Sequence, residues 1–114
     1  MYIDNVFAVQ KYINKFKPND EMSKEVFKKK SFEYGIAEKF ITTWLDAPTK
    51  DPIDILDDMI MEYAFKLKKV EKNKELLVIY NSYIKILTNI KNYILKEIYN
   101  ISICAIQGGN RHEL

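Results

Sequence analysis

Turn-forming residues are scarce in this chain. Three glycines (Gly35, Gly108, Gly109) and three prolines (Pro18, Pro48, Pro52) serve 114 residues. A β-sandwich or barrel of this length turns about every 8–12 residues, and six breakers cannot punctuate that many turns. The chain is long enough for one core and too short for two. Its 47% hydrophobic and 30% charged residues are a globular balance, not a disordered one. The expectation is an all-α protein: four or five helices packed as a bundle around a long C-terminal helix. Residues 1–107 are read as a single helical domain and 108–114 as a flexible C-terminal tail.

The apolar spacing locates the helices. Val6, Val9, Ile13 and Phe16 recur every three or four residues, so a first helix is expected from an Asp4 or Asn5 cap to about Phe16. Lys17-Pro18 stops it, because the residue before proline is pushed out of the α region, and Asp20 is the expected cap of the next helix. That second helix is expected over about Glu21–Asp46, with an apolar face from Val26 and Phe27 through Phe40, Ile41, Trp44 and Leu45. Lys28-Lys29-Lys30-Ser31 and Gly35 are its weak points. Asp51 caps a third helix with Pro52 at its first position, over about Pro52–Val70. Acids at its start and Lys66, Lys68 and Lys69 at its end match the helix dipole.

The fourth helix is expected from about Lys74 to Ile103. Its ~29 residues would span on the order of 43 Å, against a radius of gyration of about 13 Å for a domain of this size. It therefore breaks, projects or packs on another chain. Its polar residues (Asn81, Lys85, Asn89, Asn92, Lys96, Asn100) form one narrow stripe in an otherwise apolar surface. Either the helix is the buried centre of a bundle, or part of it is shared with a second copy. In the second case Tyr83, Ile90, Tyr93 and Ile94 are the expected oligomer face of a homodimer.

Function is constrained mostly by exclusion. One cysteine (Cys104) makes no intramolecular disulfide, and one histidine (His112), third from the end of the sequence, makes no zinc site or buried catalytic triad. No phosphate loop or nucleophile motif occurs. No catalytic residue, metal or cofactor is assigned. Met1 to Phe16 is amphipathic rather than a signal peptide, no apolar run reaches membrane-spanning length, and a cytoplasmic location without membrane association is expected.

Charge is blocked along the chain. Asp46 to Glu62 holds six acids and one lysine, net −5; Tyr63 to Lys74 holds five lysines and one glutamate, net +4. Asp51, Asp54, Asp58 and Glu62 line one face of the third helix. They are either a solvated face or an acidic stripe that binds a basic partner protein or occupies its nucleic-acid groove. A magnesium site would need a second carboxylate pair, and the fourth helix offers only Glu75 and Glu97. Lys24, Lys28, Lys29 and Lys30 are candidate phosphate contacts for a nucleic-acid-binding regulator, although arginine, the usual bidentate reader, is nearly absent.

Seventeen of the 18 basic residues are lysine, and there are 16 isoleucines and nine asparagines. These are amino acids of A/T-rich codons, as in a low-GC bacterium or its phages and mobile elements. The stretch Trp44 to Asp58 resembles segments of small helical proteins from such phages and mobile elements. That resemblance implies no shared activity and no functional residue. The expected function is a non-enzymatic accessory protein that binds another macromolecule, such as an anti-CRISPR-like or anti-restriction-like inhibitor of a host defence system. The alternatives are the nucleic-acid regulator, a structural oligomer or an immunity protein.

Overall fold

The computed structural model describes residues 2–100. These form α1 (Tyr2–Ile13) with a 3-10 turn (Asn14–Phe16), α2 (Lys24–Asp46), α3 (Pro52–Lys69) and α4 (Lys74–Tyr93) with a π-helical turn (Ile94–Ile98). The protein is an all-α bundle. Three helices start on side-chain caps that satisfy otherwise unpaired backbone N–H groups: Ser23 accepts from Val26, Asp51 from Ile53 and Asn73 from Leu76. Pro52 sits at the first position of α3, as its missing N–H allows.

α1 runs antiparallel to α2, and α3 to α4. The Tyr2 hydroxyl, at the start of α1, donates to the Trp44 carbonyl at the end of α2 (3.0 Å). Asp57, early in α3, meets Lys91, late in α4, at 2.7 Å. Tyr63 packs against Tyr80 and Tyr83. The core lies between all four helices. Val9, Ile13, Phe40, Leu56, Leu87, Ile90 and Ile94 are fully buried, and Phe40 stacks on Trp44 at 5.5 Å. Each such aliphatic or aromatic side chain contributes about 1.5–3 kcal/mol by leaving water. α4 makes its most extensive contacts with α3 and then with α2, so it is the central strut.

Several boundaries differ from the expectations. α1 starts at Tyr2, ahead of the expected Asp4 or Asn5 cap, because the Tyr2–Trp44 bond anchors its first turn and Asp4 lies inside that turn. α2 is capped by Ser23, not Asp20, and runs unbroken through Lys28–Ser31. Lysine is a good helix former, and the side chains part ways: Lys28 and Lys29 are exposed, while Lys30 lies over the Phe16 ring toward Glu33. The same exposure corrects the expected apolar face: Val26, Phe27 and Leu45 stand outside the core. The fourth helix is shorter than expected. Its α-helical part ends at Tyr93, the Tyr99 N–H closes the π turn on the Ile94 carbonyl (3.0 Å), and Asn100 turns left-handed at φ 56°. Asparagine tolerates that conformation, which ends helical propagation. Residues 101–103 of the expected helix, Cys104, His112 and the tail 108–114 lie outside the described residues.

Candidate functional site

The first two turns of α2 are solvent-exposed from Lys24 to Lys29. Ser23 starts the helix here, but few apolar side chains at this end reach the core. Glu33 is the first buried residue of α2. Below these turns, α4 begins at Lys74 with Leu76, Leu77, Val78 and Ile79, of which Val78 is 58% exposed. The two helix starts therefore leave a cleft of about 420 Å³ between them, with Phe32, Val78, Ile79 and Ser82 as its floor and Glu25, Lys28, Lys29 and Glu75 on its rim. A second lobe of about 340 Å³ continues past Lys29 over Phe16, Val26 and Ile86, flanked by Lys30, Glu33, Lys85 and Asn89.

The electrostatics of this cleft are uneven. Lys28 reaches Glu75 at 3.9 Å, with both side chains more than two-thirds exposed, so the pair adds little to stability and does not lock the cleft. Lys30 reaches the buried Glu33 at 3.7 Å and lies over the Phe16 ring. Lys24, Lys29 and Lys85 make no ion pair among the described residues, against one such carboxylate, Glu25. Of the lysines expected to touch phosphate, Lys28 and Lys29 line the cleft and Lys30 its second lobe, Lys28 and Lys30 already engaged by carboxylates, whereas Lys24 lines neither. Phe32 and Val78 carry no signal in the sequence that marks them as exposed, and Lys85 is read there only as part of the polar stripe of the fourth helix. Val78 lies in a run of four consecutive apolar residues, where helical periodicity alone cannot say which one is left uncovered.

The acidic stripe is divided among several tasks. Asp51 caps α3 and accepts from the Tyr99 hydroxyl at 2.8 Å. Asp58 meets Lys50 at 3.2 Å, and Glu62 meets Lys66 at 3.0 Å. Asp54 is exposed and makes no ion pair among the described residues. Tyr99 is pushed up to about 12 by burial and then by its bond to Asp51, with the charges of Asp51 and Asp54 adding to the shift. Burial also raises Tyr12, beside Tyr93, and Tyr83, beside Tyr63 and Tyr80.

The expected oligomer face requires correction at two of its four residues. Ile90 and Ile94 are fully buried inside one chain and offer a second copy no open surface. Tyr83 packs edge-on to Tyr63 at 5.0 Å, and Tyr93 stacks on Tyr12 at 4.3 Å, which leaves both half-buried.

Among the described residues, no three His, Cys, Asp or Glu side chains come together in a way that could hold a metal ion. No described helix is long and apolar enough to cross a membrane. No protein-family model, curated protein or solved structure matches the chain significantly.

Proposed function

We propose that this chain is a non-enzymatic binding protein that holds an acidic amphipathic segment of another protein in the cleft between α2 and α4. The observation that carries this reading is the open seam itself: an apolar floor of Phe32, Val78 and Ile79 that runs on into the second lobe, the two together lined by four lysines and three glutamates. An amphipathic helix lays its apolar side into such a groove, and its flanking carboxylates meet Lys29 and Lys85. Nucleic acid fits less well, because neither lobe is lined by an arginine, the bidentate reader of guanine and phosphate. The setting we propose is the cytoplasm of a low-GC bacterium, with the chain acting as a phage- or mobile-element-encoded inhibitor of a host defence system. The lysine- and isoleucine-rich composition supports that setting, as does the resemblance of Trp44 to Asp58.

Selection of short helical peptides from a display library on the full chain tests the cleft. The expected winners are acidic and amphipathic. Val78→Asp and Lys29→Glu should each weaken them about tenfold or more, equivalent to about 1.4 kcal/mol, with the helical circular-dichroism signal unchanged. Equal binding by both variants would remove the cleft from the account. Low-salt retention of duplex or single-stranded DNA that Lys29→Glu abolishes would instead establish the nucleic-acid reading.

A further inference from the structure

The outward side of α3 has three zones in chain order. Asp54 and Asp58 come first and are exposed. Met61 and Phe65 follow one turn apart, 69% and 61% exposed, among the most open large apolar side chains described. Lys68 and Lys69 end the helix, and Lys72 stands in the turn beyond. At about 100° per residue, Asp54, Asp58, Met61, Phe65 and Lys68 fall within a sector of about 80°. Tyr63 points the opposite way, into the core.

An order of acid, apolar and base complements its own reverse. We infer that α3 pairs antiparallel with α3 of a second copy of this chain, about a two-fold axis at the level of residue 63. Met61 and Phe65 lie two positions either side of that level, and Asp58 and Lys68 five. Each member is therefore brought level with its counterpart on the second copy, and the two-fold axis makes every contact twice. A parallel pairing would set acid against acid and base against base. Within one chain Lys50 holds Asp58 at 3.2 Å, and Lys69 lies over the Phe65 ring at 4.7 Å. Both contacts are at the surface and exchange partners at little cost. No residue of the α2–α4 cleft takes part, so this interface stands independently of the proposed binding function.

One helix-on-helix contact lies below the ~1,600 Å² of a standard interface and belongs with weak, transient pairings, for which the expected dissociation constant is on the order of 10 µM. Sedimentation equilibrium of the full chain up to about 300 µM, well above that constant, reads it. The wild type should dimerise reversibly, and more weakly in high salt. Asp58→Lys and Lys68→Asp should each weaken the dimer about tenfold. The equimolar mixture of these two variants should pair with near wild-type affinity, as should the double variant D58K/K68D, because each lysine then again faces an aspartate. Met61→Asp should be monomeric with its circular-dichroism signal intact. A monomeric wild type at the highest concentration, a dimer indifferent to Met61→Asp, or charge swaps that fail to restore affinity would each overturn the pairing.

Discussion

The two ends of α4 are built from similar residues and meet different fates. Ile86, Leu87, Ile90 and Ile94 are closed in by α1, α2 and α3, whereas Val78 and Ile79, equally apolar, lie beneath the open start of α2. The difference comes from what the other helices bring. At the closed end Phe40, Trp44, Leu56 and the first turn of α1 converge. At the open end α2 presents Lys24, Glu25, Lys28 and Lys29, which are better placed in water. Apolar content on one helix therefore does not decide burial; the facing element does.

Truncation should expose this contrast most strongly. Ile90→Ala removes a fully buried side chain from a packed region and should cost about 2–5 kcal/mol in urea unfolding. Val78→Ala, at a site already 58% exposed, should fall within about 0.5 kcal/mol of wild type. Similar losses at both sites would mean that the cleft is closed in solution.

The features legible in the sequence were those set by local chemistry. Asp51-Pro52 marks the start of α3 through capping and proline geometry, and α3 ends one residue before its expected boundary. Val6, Val9 and Ile13 show their inward face by spacing alone. Features set by tertiary packing were not legible. Surplus apolar surface on the fourth helix was readable, but it was assigned to Tyr83–Ile94 rather than to Val78 and its neighbours. The choice depends on where α2 stops covering α4. Met61 and Phe65 carried a weak signal, two apolar residues on the acidic face of α3, which an inward-facing reading of apolar spacing passes over. The break at Ile94–Ile98 has no glycine or proline to announce it.

Gly35 lies on α2 close to the border between the open and closed regions, and an added Cβ would meet no atom within 4 Å. Gly35→Ala should therefore raise stability by about 0.5–1 kcal/mol, by removing backbone freedom from the unfolded chain. Chemical denaturation measures the gain, and hydrogen exchange at Lys28–Phe32 locates it. Slower exchange there would show that the open turns of α2 are held by the helix itself. A gain confined to Ile36–Trp44 would place the border at Gly35.

The smallest expected effect belongs to the closed end and appears only at alkaline pH. The Tyr99 hydroxyl donates to Asp51, which also caps α3, so the residue after the π turn is tied to the start of another helix. Burial and this bond raise Tyr99 from 10.0 to about 12. Its contribution to stability is complete below pH 10, where the tyrosine is protonated in both folded and unfolded chains. Above pH 10 the unfolded chain releases the proton first, so the contribution falls as pH rises and is lost through pH 12. Tyr99→Phe lacks this dependence, and its stability should decline less steeply than that of wild type between pH 10 and 12. Ultraviolet titration of the phenolates should also lose its highest-pH component in this variant. An unchanged titration would mean that Tyr99 is free of Asp51 in solution and that the closed end of α4 is less firmly tied than the bond to Asp51 implies.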